Sequence, residues 1–175
     1  MRIHIDKLSI RSTTEEDWEI LKTVRLESLL ESPNAFSATY STTELYSELQ
    51  WRDRAAHKTQ YHYILALNGQ RAIGIIGGKQ STELEFGLIA MWVNPEFRGN
   101  GIADMLINAI KKLAISKGHF RIALSVSQDN IRAINLYSRH GFSYIADWEN
   151  SSINARPRNQ KMECVELDRV IPKFA

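Results

Sequence analysis

The stretch VNPEFRGNGIADMLINAI, residues 93–110, decides how the middle of the chain folds. A strand-like run ends near Pro95, which cannot continue the hydrogen bonding of a sheet, so the chain leaves the sheet there. Gly99 and Gly101 follow, and helical periodicity begins at Ile102. Glycines at the mouth of a helix let the backbone approach a ligand closely. The segment therefore predicts either an anion-binding loop or a tight turn between a strand and a helix.

An anion-binding loop at this position has a clear physical basis. The unpaired amides at the start of the helix, the positive end of the helix dipole and Arg98 together favour a phosphate or a pyrophosphate. Two nucleotide-binding motifs are excluded. The run GIIGGKQST lacks the P-loop pattern, because Gln80 follows Lys79 and Ile73 stands where a glycine is required. A dinucleotide fingerprint fails as well, because Asp104 occupies the third glycine position.

Composition predicts one compact domain, residues 1–175, and argues against several classes of partner. The 175 residues are 43% hydrophobic, and 22 basic against 20 acidic residues give a net charge of +2. This balance gives no electrostatic reason to expect a nucleic acid partner. The single Cys164 cannot form an internal disulfide, and the spacing of His57 and His62 matches no zinc site, so no metal is expected. No apolar leader or long apolar run occurs, which predicts a cytoplasmic protein with no membrane partner.

The pattern of apolar residues predicts a mixed α/β fold with the order β-α-α-β-β-β-α-β-α-β-β. A first strand precedes a helix that opens near Thr13 or Thr14 and ends at Pro33, and a second helix is predicted over residues 44–57. Three strand-like runs then form a meander before the helix that follows the glycines. That helix carries an apolar stripe from Ile102 to Ala114. A strand, a short helix and two closing strands complete the prediction.

A second constellation lies in SVSQDNIRAINLYSRHGF, residues 125–142. Asn130, Ala133, Ile134 and Tyr137 recur at helical spacing, so they share one face of a helix that follows a strand. One interpretation makes these residues the core face of the helix, with Asn130 as its cap. The other makes the amide and the phenol part of a functional site. The spacing alone is compatible with both.

The two constellations together resemble the GNAT acetyltransferase superfamily. The acetyl-CoA loop of that family has the pattern Arg or Gln, x, x, Gly, x, Gly or Ala, and here Arg98, Gly101 and Ala103 fill the three fixed positions. The predicted order of strands and helices over essentially the whole chain is also similar to that of the family.

The resemblance implies an acetyl-CoA site and a role for each motif residue. The pyrophosphate would be held by the backbone amides of Gly99, Asn100, Gly101, Ile102 and Ala103. The backbone of Met91, Trp92 and Val93 would pair with the pantetheine arm, to which Asn130 would also hydrogen-bond. Tyr137 matches the general acid that protonates the departing thiolate, a reasonable task for a nearby phenol. The amides around Met91 would stabilise the oxyanion.

The residue that would deprotonate the acceptor amine is less well defined. Many relatives place a Glu or His on the strand before the loop, but Gly87 and Ile89 occupy those positions here. Glu85 has the same alternation as Gly87, Ile89 and Met91, which makes it a candidate base, acting directly or through water. Glu83 is a weaker candidate. Both acids are equally compatible with a solvated strand end.

The resemblance also implies where the acceptor binds, namely in residues 29–46 and in the connection of residues 149–160. Phe36, Tyr40 and Trp148 are candidates for an aromatic pocket or for the core, and Arg156 and Arg158 either attract an acidic acceptor or are solvated. The expected function is transfer of an acetyl group from acetyl-CoA to a primary amine of a small molecule or a peptide, within a cytoplasmic protein that can form a homodimer. A CoA-binding regulatory module with little or no catalysis is the alternative.

Overall fold

The computed structural model describes residues 7–81, 85–148 and 159–168 and contains a seven-stranded sheet. The strands are β1 (Leu8–Ser12), β2 (Tyr61–Asn68), β3 (Arg71–Gln80), β4 (Phe86–Val93), β5 (Ile122–Ser127), β6 (Ser143–Trp148) and β7 (Asn159–Cys164). The helices are α1 (Trp18–Glu31), α2 (Tyr40–Thr43), α3 (Glu48–Ala55), α4 (Ile102–Ser116) and α5 (Ile131–Arg139). Turns of 3₁₀ helix precede α1 and α4. The predicted mixed α/β class is confirmed.

The second predicted helix, over residues 44–57, is wrong in its extent. Within this range only Glu48–Ala55 (α3) is helical, and the short helix α2 lies before it at Tyr40–Thr43. The two helices are separate because two different residues act as N-caps. The Thr39 side chain accepts a hydrogen bond from the backbone N–H of Thr42, and the Ser47 side chain accepts one from that of Gln50. Each cap satisfies an amide that would otherwise lack a partner, so each starts its own helix. Residues 44–47 link the two helices, and α3 ends at Ala55.

The sheet has the strand order β1-β2-β3-β4-β5-β7-β6, and a hydrophobic layer covers each face. On one face, α4 packs its predicted apolar stripe against the sheet, with Ile102, Leu106 and Ile110 at most 1% exposed. On the other face, Leu21 and Val24 of α1 pack with Trp51 of α3 against β2, β3 and β4. Burial of these side chains is the main favourable contribution to folding.

The centre of the sheet contains a gap between two parallel strands. β4 and β5 pair only at Phe86 with Ile122 and at Gly87 with Ala123, and every other neighbouring pair in the sheet is antiparallel. Beyond Gly87 the two strands diverge. The edge of β4 that faces β5 therefore has no partner strand from Leu88 to Val93 among the described residues. An unpaired strand edge can pair with an extended ligand. This gap opens towards the loop that leads to α4.

Candidate active site

The loop before α4 has the backbone geometry of an anion cradle. Gly99 and Gly101 both have positive φ, +80° and +74° respectively, and Gly101 is the N-cap of α4. Only glycine adopts this conformation without strain. Within the part of the chain that the structure describes, the amides of residues 99–103 donate no hydrogen bond, and the first helical bond comes from Met105 to Gly101. These free amides and the helix dipole make the loop suited to a phosphate group.

Arg98 holds this loop in place through contacts within the protein. Its Nε donates to the carbonyl oxygen of Val93 at 2.8 Å, and a terminal nitrogen donates to Glu31 at 2.9 Å. The same Glu31 oxygen accepts a hydrogen bond from the indole N–H of Trp92 at 2.8 Å. Glu31 therefore ties the end of α1 to the end of β4 and to the loop. Sequence reasoning missed Glu31, since a glutamate at the end of a helix carries no motif.

The strand β4 contains a bulge at Ala90. Ile89 faces Gly77 and Trp92 faces Ile75, so Ala90 and Met91 together oppose the single Ile76. Ala90 is buried and has a φ of +56°, which is strained for a residue with a side chain. A bulge bends a strand and re-aims the backbone groups next to it. Here it does so along the unpaired edge of β4, where the resemblance implies the oxyanion site.

The bulge also corrects one argument made from strand alternation. Met91 was expected to lie on the same face as Glu85, Gly87 and Ile89, and this expectation is wrong. Ile89 packs against the cluster beneath α1 and α3, whereas Met91 packs against the cluster beneath α4. The extra residue shifts the alternation by one position, so the faces of β4 exchange after Ala90.

Tyr137 lies on α5 with its side chain 7% exposed and its ring 5.6 Å from that of Phe142. Burial raises the pKa of Tyr137 well above its ordinary value. The phenol is therefore neutral throughout the physiological range and retains a proton to give. Its hydroxyl makes no hydrogen bond to any described residue, although the ring belongs to the core. Tyr137 thus combines core packing with an uncommitted hydroxyl, and its role as general acid stays a prediction.

Asn130 is the N-cap of α5. Its side-chain oxygen accepts a hydrogen bond from the backbone N–H of Ala133 at 3.2 Å. The capping interpretation of this residue is thus confirmed. The side-chain NH₂ group of Asn130 is not used by the cap and can still donate to a ligand.

A partly buried polar network joins α4 to α5. Asp104 accepts hydrogen bonds from Arg139 at 2.5 Å and pairs with the His140 ring at 2.7 Å. The fully buried Lys111 donates to the backbone carbonyl of His140 at 2.5 Å. Burial lowers the pKa of His140, although Asp104 acts in the opposite direction. The network fixes the helix that carries Tyr137 relative to the helix that begins at the cradle.

The candidate base Glu85 lies at the opposite end of β4 from the loop. It is exposed, directly before the strand begins at Phe86. Five residues of extended chain separate it from Ala90, a distance of about 16 Å. Gly87 and Ile89 are predicted on the same face of the strand as Glu85 and lie closer to the bulge, but neither side chain can take up a proton. Glu83 lies outside the described residues.

Half-buried aromatic side chains line the surface between α1, α2 and β2. Phe36 lies beneath the guanidinium of Arg25, whose carbon is 4.7 Å from the ring centroid. Arg54 lies over Tyr46 and Tyr61, at 4.5 and 4.7 Å. Sequence reasoning named Phe36 but neither arginine, because both sit within ordinary amphipathic helices. Tyr40 is half-buried at the start of α2. The side chain of Trp148, and Arg156 and Arg158, lie outside the described residues.

The described residues provide neither a metal-binding cluster nor a membrane-spanning helix. No group of three His, Cys, Asp or Glu side chains in residues 7–81, 85–148 and 159–168 could hold a metal ion. None of the helices in those ranges has the length and apolar character needed to cross a membrane.

Comparison with solved structures relates this architecture to known folds. An acetyltransferase of the GNAT family from Streptococcus pneumoniae superimposes with a TM-score of 0.76 at 20% identity, over 89% of this chain and 97% of the other. A spermidine N-acetyltransferase from Vibrio cholerae, solved with CoA and spermine, gives 0.69 at 20% identity over 91% and 96%. A Paia N-acetyltransferase from Thermoplasma acidophilum, solved with coenzyme A, gives 0.67 at 20% identity over 90% and 98%. At this identity the likeness shows the fold.

A family model described as Acetyltransferase (GNAT) family matches residues 25–142. The match spans more than half of the chain and includes β4, the cradle loop and Tyr137. The chain therefore belongs to the GNAT acetyltransferase family and is an acetyltransferase.

Proposed function

We propose that this enzyme transfers the acetyl group of acetyl-CoA to a primary amine by direct attack in a ternary complex. The proposal rests on one observation: two sets of backbone groups without hydrogen-bond partners lie next to each other, the loop amides before α4 and the edge of β4 that faces β5. The free amides of residues 99–103 lie at the end of the gap that the divergence of β4 and β5 leaves. A ligand with a phosphate at one end and an extended amide chain behind it satisfies both surfaces, and CoA has this form.

In the proposed complex, the amides of Gly99 to Ala103 bind the pyrophosphate, and Arg98 keeps their loop in position through Glu31. The pantetheine arm pairs with the backbone of Met91, Trp92 and Val93, where the carbonyl of Val93 already accepts one hydrogen bond from Arg98. The NH₂ group of Asn130 donates to the same arm. Phosphate binding at a helix start and strand addition at an exposed edge are both common ways to hold such groups.

The chemistry follows from the groups beside the thioester. The amine nitrogen attacks the carbonyl carbon, a C–N bond forms, and the amides re-aimed by the bulge at Ala90 stabilise the oxyanion. The intermediate then collapses, the C–S bond breaks, and Tyr137 gives its proton to the departing thiolate. The attacking nitrogen, which carries a positive charge in the intermediate, releases one proton to solvent, and solvent returns a proton to Tyr137. The ammonium form of the acceptor loses its proton to water before attack, and Glu85 assists only through intervening water, because it lies remote from the bulge.

A thiol-release assay tests the transferase activity. Acetyl-CoA is supplied with polyamines, amino acids, aminoglycosides or short peptides, and the acetylated product is identified by mass spectrometry. We expect release of CoA only in the presence of an acceptor, with one class of amine strongly preferred. Calorimetric titration of acetyl-CoA is run beside the assay. Failure to bind acetyl-CoA would contradict the proposal.

The second candidate function is a CoA-binding regulatory module. Gly87 and Ile89 favour it, because they leave β4 without a proton acceptor near the bulge. This candidate predicts tight binding of acetyl-CoA without turnover on any amine. Turnover on a single class of amine would exclude it.

Three further properties belong to the same proposal. Residues 1–175 form a single domain, which is supported by the one sheet that runs from β1 to β7. The protein acts in the cytoplasm, where acetyl-CoA is available. It acts as a monomer or a homodimer, and sedimentation measured with and without CoA distinguishes the two.

A further inference from the structure

Two arginines near the acceptor side of the site carry charges that pair with no acid in the described part of the chain. Arg25 of α1 is only 9% exposed, and Arg54 of α3 is partly buried. Neither forms an ion pair or a hydrogen bond with any Asp or Glu among the described residues. By contrast, Arg11, Arg52, Arg98, Arg121 and Arg139 each pair with a carboxylate within 3.1 Å.

The contacts of Arg25 do not compensate for the burial of its charge. One terminal nitrogen lies 3.3 Å from the hydroxyl of Ser28, and the guanidinium stacks on Phe36. Burial lowers the pKa of Arg25, while Tyr63 and Tyr46 act in the opposite direction. Arginine stays charged in proteins, so the cost of removing this ion from water remains. A stacking contact with an aromatic ring offsets only part of that cost.

These arginines contact a group of aromatic side chains that extends towards the reactive part of β4. Arg54 stacks on both Tyr46 and Tyr61, and the rings of Tyr61 and Tyr63 lie 6.4 Å apart. Tyr63 and Ile89 flank Gly77, where an added Cβ would come within 3.1 Å of both side chains. Ile89 directly precedes the bulge at Ala90. The contacts from Arg54 through Tyr61, Tyr63 and Gly77 to Ile89 thus lead from an unpaired charge to the proposed site of acetyl transfer.

We infer that the acceptor is a primary amine that also carries an oxyanion, a carboxylate or a phosphonate, which Arg25 and Arg54 bind. A planar guanidinium matches both groups, and either group supplies a negative charge to pair with the two arginines. The aromatic rings of Phe36, Tyr46 and Tyr61 then contact the part of the acceptor between its anion and its amine. This inference rests on the proposed function, because it names the substrate class for the same site.

The test compares acceptors that differ only in the anion. Dipeptides with a free C-terminus are assayed beside the same dipeptides with an amidated C-terminus, so that the attacking amine is almost unchanged. Aminoalkyl phosphonates and ω-amino acids of matched length, with simple alkylamines beside them, distinguish carboxylate from phosphonate. We expect kcat/KM to be about ten- to a hundredfold higher for anionic acceptors than for neutral ones, as hydrogen bonds to charged groups provide.

Variants assign this preference to the two arginines. Arg25→Met should abolish most of the preference for the anion without changing the affinity for acetyl-CoA, and Arg54→Met should reduce it. Arg25→Lys retains the charge but not the planar fork, and should give an intermediate preference. Arg52→Met is the matched control, because Arg52 lies on the same helix as Arg54 but already pairs with Glu48 at 2.7 Å. It should retain the full preference.

The outcomes separate this inference from the proposed function. Equal turnover of anionic and neutral acceptors, or a preference that survives in Arg25→Met and Arg54→Met, overturns the inference and leaves the transferase intact. Loss of acetyl-CoA binding in the unmodified enzyme overturns the proposed function itself. Binding of acetyl-CoA without turnover of any acceptor tested counts against both the inference and the proposed function. If Arg25→Met fails to fold, Arg25→Lys and Arg54→Met decide the question.

Discussion

Arg98 gives the sharpest prediction, because its family position suggests a phosphate contact while its bonds within the protein suggest a positioning role. Replacing Arg98 with Met removes a hydrogen bond to the Val93 carbonyl at 2.8 Å and an ion pair with Glu31 at 2.9 Å. The first contributes about 0.5 to 1.5 kcal/mol. The second contributes about 0.2 to 1 kcal/mol, since both side chains are partly exposed, 27% and 33%.

If the lost free energy, about 0.7 to 2.5 kcal/mol in all, appears as disorder of the cradle, the Kd for acetyl-CoA should rise about three- to seventyfold. Calorimetric titration measures this change. The matched control is Arg121→Met, which breaks a partly buried ion pair with Glu163 (3.1 Å). This pair lies away from the loop, so the Kd should stay unchanged.

A double-mutant cycle with Glu31→Gln identifies how Arg98 acts. If Arg98 works through Glu31, the effects of the two substitutions should be less than additive, with a coupling free energy of about 0.5 to 1 kcal/mol. If Arg98 binds the phosphate itself, Glu31→Gln should free it, and the effects should add or the affinity should improve. Full additivity, or an unchanged Kd in Arg98→Met, would refute the positioning role.

Further predictions concern catalysis, pH and packing. Tyr137→Phe preserves the ring against Phe142 and should lower kcat about ten- to a thousandfold with little change in the Kd for acetyl-CoA; an unchanged kcat would leave Tyr137 a core residue. Glu85→Gln should lower kcat less than about tenfold, because Glu85 is exposed and distant from the bulge, and a larger loss would make it a direct base. Burial lowers the pKa of His62 to about 4, so the folded state binds protons less readily than the unfolded chain, and stability should fall by about 1 to 2 kcal/mol between pH 7 and 5. Denaturant titrations of His62→Gln should lack this contribution, and an equal pH dependence would contradict the assignment. Gly78→Ala would place a Cβ 2.2 Å from the ring of Phe86 and should destabilise the fold by about 1 to 3 kcal/mol in the same titrations, whereas Gly99→Ala meets no atom and should cost only the strain of its positive φ.

The parts of the fold that follow from local rules could be predicted from the sequence. Pro95, the two loop glycines and the apolar stripe of α4 each have one dominant physical consequence, and the strand, loop and helix lie where those residues predict. The true start of the second helix could also have been found, since Ser47 and Gln50 form a capping box directly before and within its first turn.

Other parts of the site depend on contacts between distant segments and could not be predicted from one sequence. Nothing near Glu31 indicates that Arg98, 67 residues away, will donate to it. The positive φ of Ala90 cannot be predicted from the sequence either, because alanine rarely adopts it. It accompanies the bulge, where two residues of β4 oppose one residue of β3. The unpaired charge of Arg25 becomes apparent only when every acid around it is located. The alternation argument failed at Met91 for the same reason, since a bulge leaves no mark in the sequence.

The most direct test of the central claim is a crystal structure of the enzyme with CoA. The account predicts the pyrophosphate on the amides of residues 99–103, the pantetheine arm between β4 and β5 along Met91 to Val93, and the sulfur within hydrogen-bonding reach of the Tyr137 hydroxyl. Electron density for CoA outside this gap, or a sulfur remote from Tyr137, would contradict it.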